Sequence, residues 1–402
     1  MKENIFIFYT RNVIITIFLV LLGTVTFNRI MNPYSVFDGP LLDGINVKKP
    51  AFQDHLRMAK AMEVRRIKPT AISLGTSRTE RGIDPNHSGW SEDITYNLGL
   101  SSSTLYEAYR YMQHANTIQP LNKVVLMLDF IMFDASKERS IAEFNEERLM
   151  VSSEGKKLGA DWTDTLLSLF TLDALIDSVE VLLGQDGPQK YLKNGMHNPV
   201  YEEINYVLQH RKSFDMINKG YVPKYDKWVL STNKLDNLDV YQKILSYAHE
   251  NNIELFIGVS PIHAELLEVI FDTGKWKLFE QWKVHLVNFN EKVAKKYNKE
   301  SHQLMDFSDY NLFTTESVPL EDDYSTKMKW YWESSHYKKE LGDIVLCRLF
   351  NNKSSECLDI PNFGVELSTE TINSHLNTIR LNRERWISSF PTNKDKINKF
   401  VK

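Results

Sequence analysis

Short apolar runs that alternate with helical stretches constrain the fold of this chain more than any other feature. Three runs, Thr70–Leu74, Ile94–Leu98 and Lys123–Leu128, lie in the first third, and Ile253–Val259 and Leu304–Phe307 follow much later. Such runs are largely apolar rather than alternating, which is typical of strands buried on both faces of a parallel sheet. The helical stretches supply the crossovers that parallel strands require. The sequence therefore predicts an α/β fold with a doubly wound parallel sheet.

The alternation of strands and helices is interrupted between about residues 135 and 230. Helical patterns cover Thr163–Leu183 and Tyr201–Asn218, and the loops around them are rich in Gly, Asn and Lys. We interpret this stretch as a helical insertion within one α/β domain that spans residues 68–360. The flanking segments are expected to be an N-terminal anchor (1–31), a linker with a lead-in helix (32–67) and a polar C-terminal extension (361–402).

The N-terminus carries an uncharged apolar segment, Val13–Phe27. The stretch from Asn12 to Asn28 reaches the lower limit of about 17 residues for a membrane-spanning helix. A cleaved signal peptide and a buried helix are the alternatives, but no small-x-small cleavage pattern follows, which favours a retained anchor. Lys2 and Arg11 precede the span, which places the N-terminus in the cytoplasm. We expect a single-pass protein of the inner (cytoplasmic) membrane whose bulk is periplasmic or otherwise extracytoplasmic.

Charge and cysteine content exclude several classes of protein. With 48 basic and 52 acidic residues the net charge is −4, so no nucleic-acid partner is expected. Two cysteines, Cys347 and Cys357, exclude a disulfide-built scaffold and a zinc site of several thiolates. In an oxidising compartment these two either pair or stay free. Asp129 and Asp134 offer too few oxygen ligands for a metal ion, so the sequence predicts neither metal nor cofactor.

Candidate catalytic residues follow the predicted strands, where open α/β sheets bind their ligands. Ser77 comes after the first strand, and Glu333 and His336 precede the last core helix. A serine nucleophile needs a base to take its proton, and a carboxylate orients that base. The N–H groups of Ser77 and Gly99 are candidate oxyanion donors, with Asn97 as a further one. The alternatives are that Ser77 caps a helix and that His336 is a buried structural histidine.

Five more residues at strand or loop ends are candidates for lining a substrate cleft. Each has a structural alternative: a salt bridge for the arginine, a turn and helix start for the serine and histidine, and core packing for the tryptophan. The aspartate would repel an oxyanion unless it were protonated or pointed elsewhere. The five residues are Arg78, Asp129, Ser260, His263 and Trp332.

Together these motifs resemble the SGNH (GDSL-like) hydrolase superfamily. The matching pattern is a strand followed by Gly-x-Ser, a glycine ending the second strand, and carboxylate-x-x-His before the last helix. The resemblance implies that Ser77 is the nucleophile, Gly99 an oxyanion donor and His336 the general base. Glu333 stands where the family usually has Asp, and Asp129 stands where it commonly has an oxyanion-binding Asn.

The nearer resemblance is to membrane-anchored members, the alginate O-acetyltransferase family and the DltD-type proteins of teichoic-acid D-alanylation. It covers roughly residues 68–130 and 250–350 and implies a three-layer, flavodoxin-like fold. It also implies a serine acyltransferase or esterase that acts on acyl, especially acetyl, esters of a cell-envelope polysaccharide. A membrane-bound protein that donates the acyl group would be a partner. The alternative is a non-catalytic SGNH-fold scaffold or glycan-binding component of an envelope polysaccharide assembly.

Overall fold

A computed structural model describes residues 2–141, 143–159, 162–205, 209–230, 237–352, 357 and 363–389. The chain divides into two compact units. Unit 1 comprises residues 1–67 and 143–191, and unit 2 comprises residues 68–142 and 192–402. This division differs from the expected one, because about half of the predicted insertion, residues 143–191, belongs with the N-terminal segment rather than with the sheet.

Unit 1 is helical, whereas unit 2 contains every described strand. The helices, in chain order, are α1 (Lys2–Met31), α2 (Leu56–Ile67), α3 (Ser77–Gly82), α4 (Leu105–Ile118), α5 (Thr163–Phe170), α6 (Leu172–Leu183), α7 (Pro199–Asn205), α8 (His210–Asp226), α9 (Asn237–Glu250), α10 (Ala264–Asp272), α11 (Trp276–Tyr297), α12 (Lys339–Leu349) and α13 (Ile372–Ser389). The strands are β1 (Ala71–Leu74), β2 (Thr95–Asn97), β3 (Lys123–Leu128), β4 (Glu254–Val259), β5 (Gln303–Asp306) and β6 (Val365–Glu366).

The six strands form one sheet in the order β2-β1-β3-β4-β5-β6. The first five are parallel, and β6 runs antiparallel to β5. Each predicted run forms a strand, because β1 and β3 bury almost every residue and need apolar side chains on both faces. The prediction of an α/β fold with a mostly parallel sheet is therefore confirmed. The sixth strand was not predicted, since two residues carry no pattern.

Strand order places Ser77 at a point where the chain changes direction in the sheet. From β1 the chain moves outward to β2, and it then returns past β1 to β3, β4 and β5. Because parallel crossovers are right-handed, the first crossover covers one face of the sheet and the later ones cover the other. The carboxyl ends of β1 and β3 therefore flank a crevice of the kind in which open α/β sheets bind ligands. α3 begins with Ser77 directly after β1.

Unit 1 contains α1, which over Ile5–Met31 is long and apolar enough to cross a membrane. The predicted helix Thr163–Leu183 is interrupted, because the Thr171 hydroxyl caps α6 by accepting the Ala174 N–H at 3.2 Å. The two resulting helices, α5 and α6, both pack against α1. In unit 2 the predicted helix Tyr201–Asn218 is likewise two helices, α7 and α8, and residues 206–208 between them lie outside the described part.

Part of the predicted C-terminal extension belongs to the fold of unit 2. β6 pairs with β5, and His375 on α13 contacts Asp306 with its Nε2 at 2.9 Å from Oδ2. Lys283 on α11 donates to the same oxygen at 2.6 Å. Burial disfavours the charged carboxylate, but Lys283 and His375 outweigh it and lower the pKa of Asp306 to about 2. Residues 390–402 of the predicted extension lie outside the described residues.

The two cysteines, for which the sequence left pairing open, form a disulfide. Cys347 on α12 is bonded to Cys357 ten residues later, and their Cα atoms are 5.6 Å apart. The bond ties the end of the last core helix to Cys357, eight residues before β6, and thereby constrains the unfolded chain.

Lys283→Met is expected to lower the free energy of unfolding by about 3–5 kcal/mol, because it leaves Asp306 buried without its main cation. The measurement is urea unfolding of the detergent-solubilised protein, followed by tryptophan fluorescence. Lys295→Met, at an exposed position of the same helix, is the matched control and should change little. Equal destabilisation by the two variants would contradict a role for the ion pair.

Candidate active site

The turn after β1 presents Ser77 at the start of α3. Gly75 adopts a φ of +150°, and a Cβ there would lie 2.8 Å from the Met127 carbonyl oxygen, so only glycine fits. Thr76 then caps the helix, its hydroxyl accepting the Arg78 N–H at 3.3 Å. The capping role that could have explained Ser77 is thus taken by its neighbour. The Ser77 side chain instead faces a histidine.

Ser77, His336 and Glu333 form a continuous hydrogen-bonded chain. Ser77 Oγ lies 2.7 Å from His336 Nε2, and His336 Nδ1 contacts Glu333 Oε1. The other oxygen of Glu333 accepts the Ser335 N–H at 2.6 Å, which holds the carboxylate in place. Because a carboxylate faces Nδ1, that nitrogen carries the ring proton and Nε2 offers its lone pair to the serine. This is the tautomer that a general base requires.

Burial and neighbouring charges set the protonation of this chain. Desolvation lowers the pKa of His336, and the positive charge of Arg81 lowers it further, against the opposing effect of Glu333. Burial alone would raise the pKa of Glu333, but the contact with His336 and the Ser335 N–H hold it below its usual value. At neutral pH the histidine is therefore neutral and the carboxylate is ionised. The ring is therefore in the protonation state of a general base, while the Arg81 guanidinium also contacts its Nε2.

Arg78, directly after the serine, fastens the serine turn to the histidine loop. Its Nη1 pairs with Asp129 Oδ1 at 2.8 Å, and both side chains are about 2% exposed. Its Nε donates to the Ser335 carbonyl at 2.8 Å, and Nη2 donates to the Ser335 hydroxyl at 3.0 Å. The prediction that Arg78 and Asp129 line the substrate cleft is therefore replaced by a structural role. The Asp129 charge, which would repel an oxyanion, is neutralised by the guanidinium.

The two oxyanion donors predicted at the end of β2 are engaged elsewhere. The Gly99 N–H donates to Asn97 Oδ1 at 2.8 Å. The Asn97 amide in turn donates to the Thr79 and Ile83 carbonyls, both at 2.8 Å. These bonds attach α3 to the sheet, and the geometry does not support an oxyanion role for either residue. A donor role for the Ser77 N–H stays a prediction.

The other residues predicted to line the cleft are buried, between 1% and 6% exposed. His263 caps α10, with Nδ1 accepting the Glu265 N–H at 3.2 Å and Nε2 donating to the Glu316 carbonyl at 2.7 Å. Trp332 packs under the Lys338 ammonium, 4.3 Å from its ring, and Ser260 is fully enclosed. The pocket beside Ser77 has other walls, which include Thr76, Ser102, Ser103, Thr104, Lys137, Glu138, Tyr221 and Lys224.

Arg81 is the functional candidate that sequence reasoning missed. Its Nη1 lies 3.0 Å from His336 Nε2, the nitrogen that Ser77 also contacts. Its Nε donates to Glu202 Oε1 at 2.8 Å, and His197 Nδ1 lies 3.1 Å from the same oxygen. The spacing of four residues from Ser77 would place Arg81 on the same helix face, which was the available signal.

Comparisons with known proteins identify no relative of this chain. No protein-family model matches this chain, and no curated protein is similar to it in sequence.

Arg81→Gln is expected to raise the pKa of His336, because the guanidinium is one of the charges that lowers it. The pH dependence of carbethoxylation of His336, which requires the neutral ring, should shift to higher pH when followed by mass spectrometry. Arg81→Lys keeps the charge and serves as the control, with a smaller shift. An unchanged profile in Arg81→Gln would show that Arg81 does not act on this histidine.

Proposed function

We propose that this protein is an extracytoplasmic serine acyltransferase or esterase that forms an acyl-enzyme on Ser77. The observation that carries the proposal is the hydrogen-bonded chain from Glu333 through His336 to Ser77. A buried ionised carboxylate, a neutral imidazole in the required tautomer and a hydroxyl 2.7 Å away are the parts that nucleophilic acyl transfer needs. The Glu333 contact with His336 and the Arg78 bonds to Ser335 argue against a chance contact between the serine and the histidine, because such a contact would occur without them.

In the proposed reaction the Ser77 oxygen attacks the carbonyl carbon of an ester while His336 Nε2 takes the hydroxyl proton. The tetrahedral intermediate collapses, and His336 returns that proton to the departing alcohol, which leaves the acyl group on Ser77. Water or a sugar hydroxyl then attacks the acyl-enzyme as His336 takes its proton. Serine is regenerated when the proton returns to its oxygen. Glu333 holds the ring and stabilises the imidazolium formed in each half.

Arg81 takes the place of the missing oxyanion donors in this proposal. Its guanidinium contacts the same His336 nitrogen as Ser77, so it stands beside the carbon that the serine would attack. A charged N–H aimed at developing negative charge stabilises the intermediate more than a neutral donor does. Movement of Arg81 from His336 to the oxyanion would also leave the Nε2 lone pair to the serine proton.

Other features of the molecule support the proposed substrate and the proposed compartment. The pocket beside Ser77 has a volume of about 70 Å³ and is lined by hydroxyl groups and charged side chains together with Ile131 and Met132, which suits a small polar part of an acceptor such as one sugar hydroxyl. The disulfide and the apolar α1 support an anchored protein on the oxidising side of the inner membrane. The resemblance to envelope acyltransferases adds a cell-envelope polysaccharide as the acceptor, acetyl as the acyl group and a membrane-bound acyl donor as the partner.

A second candidate function is a glycan-binding or scaffold component without turnover. The engagement of the Gly99 and Asn97 donors favours it, because acyl transfer depends on oxyanion stabilisation. The test of serine reactivity below distinguishes the two functions.

Wild-type protein is expected to react with a fluorophosphonate probe at Ser77. Ser77→Ala and His336→Ala should abolish labelling, and Glu333→Gln should slow it by about 10²–10⁴-fold because the ring loses its orienting charge. The measurement is in-gel fluorescence with peptide mapping of the adduct.

Ser317→Ala is the control for this experiment, since it removes an exposed hydroxyl of unit 2 that takes no part in the hydrogen bonds described for the site. Its labelling should persist, and thermal unfolding should show that every variant is folded. Labelling that survives in Ser77→Ala, or a folded wild-type protein that is not labelled, would contradict the proposed acyl-enzyme and favour the glycan-binding or scaffold function.

A glycan acceptor is expected to speed the loss of acetyl from the acyl-enzyme if the protein is a transferase. p-Nitrophenyl acetate would acetylate Ser77, and intact-mass spectrometry would follow decay of the adduct with and without acetyl-free envelope polysaccharide. Equal decay, with acetate as the sole product, would identify an esterase.

A further inference from the structure

The consecutive helices α5 and α6 of unit 1, which are separated by Thr171 alone and are called the hairpin below, expose most of their large apolar side chains. Phe170, Leu172 and Leu183 are 56%, 68% and 75% exposed, and Trp162 precedes them with 65%. We use the term hairpin face for the exposed Trp, Leu, Phe, Ile and Val side chains between Trp162 and Leu183. A concentration of exposed large apolar side chains of this kind is typical of a site of contact with a partner or a membrane.

Most of the residues that the hairpin buries are small or polar, and Val181 is the one larger apolar side chain among those described. Ser168, Ala174 and Ser178 are each at most 2% exposed, and Asp164 is buried in an ion pair with Arg148. A hairpin in water would bury its leucines and expose its serines. Small residues at contacts between helices, with large apolar residues outside, are characteristic of helices that pack within a membrane.

The hairpin is attached to the segment that would cross the membrane. α5 and α6 pack against α1 in the same unit, and the Asn28 amide donates to the Leu169 carbonyl at 3.0 Å. Asn28 lies three residues before the end of α1, so the hairpin stands where that helix would leave the bilayer. The Tyr34 hydroxyl donates to Asp177 and ties α6 to the chain that follows α1.

Helix length decides how deep the hairpin can lie. At about 1.5 Å per residue, α5 and α6 measure roughly 12 and 18 Å, well short of the hydrocarbon core of about 30 Å. They cannot span it, and exposed Asp173 and Glu180 keep part of α6 in contact with water or lipid headgroups. Helices with these properties lie in the plane of the interface with their apolar side chains among the acyl chains.

We propose that the hairpin face is a second membrane-binding element, which lies in the leaflet from which α1 emerges. Lipid is the proposed occupant of this face for two reasons. The hairpin packs against α1, and its large apolar side chains are mostly exposed whereas its small residues are buried. The membrane would then hold unit 1 at two places rather than by a single flexible tether. This inference does not depend on the chemistry of Ser77.

The test places a fluorophore on the hairpin face of the full-length protein in phosphatidylcholine vesicles. Phe170→Cys is labelled with the environment-sensitive dye NBD, since the two native cysteines are joined in a disulfide. We expect blue-shifted emission, quenching by nitroxide-bearing lipids and protection from aqueous iodide. Leu312→Cys, at a 75% exposed apolar position of unit 2, gives the emission of an exposed label for comparison.

Ile176→Cys, on the other helix of the hairpin, repeats the measurement in case the first variant disturbs folding. Emission that stays water-like and is quenched by iodide would overturn the proposal. A blue shift that nitroxide lipids do not quench would also overturn it, because the hairpin face would then be covered by protein.

Discussion

The buried ion pair between Arg78 and Asp129 is the interaction on which the candidate site depends. It joins the serine turn after β1 to the end of β3, and the same guanidinium reaches across to Ser335. Three segments far apart in sequence are thereby held around one cation. A buried charge without partners is costly, so the guanidinium of Arg78 has one favourable position. Because Ser77 directly precedes Arg78, its backbone is fixed as well.

Charge neutrality in this cluster also keeps the histidine ready to act as a base. An unpaired Asp129 close to the site would favour the imidazolium form, whereas its pairing with Arg78 removes that effect. The cation of Arg81 then lowers the pKa of His336 further. Arg78 lowers the pKa of His336 as well, though less than Arg81 does, and it also holds the backbone of the serine turn in place.

The fold was predictable where the residues themselves carry the physical signal. Apolar runs predicted five strands, and the position of Ser77 after the first strand, with carboxylate-x-x-His before the last core helix, predicted that Ser77 and His336 would meet. Sequence could not show which acceptor takes the Gly99 N–H, because the Asn97 amide is oriented by carbonyls of α3 rather than by its own neighbours. The sequence predicted helices α5 and α6 only as part of an insertion. Hydrophobic periodicity indicates that helices form, but it does not show which of their faces is exposed.

The role of α3 explains how the engaged Gly99 and Asn97 donors can occur beside the hydrogen-bonded chain of Ser77, His336 and Glu333. Asn97 binds the Thr79 and Ile83 carbonyls, so it fixes the helix that carries both Ser77 and Arg81. Asn97 therefore contributes more by fixing the positions of Ser77 and Arg81 than it would as one neutral hydrogen-bond donor to an oxyanion. In the proposed reaction the Arg81 guanidinium would supply the oxyanion stabilisation that Gly99 and Asn97 do not, because its charge has a longer range than a neutral N–H dipole. In such a site, specificity for the acyl group would depend on how far Arg81 leaves Glu202 when the substrate binds.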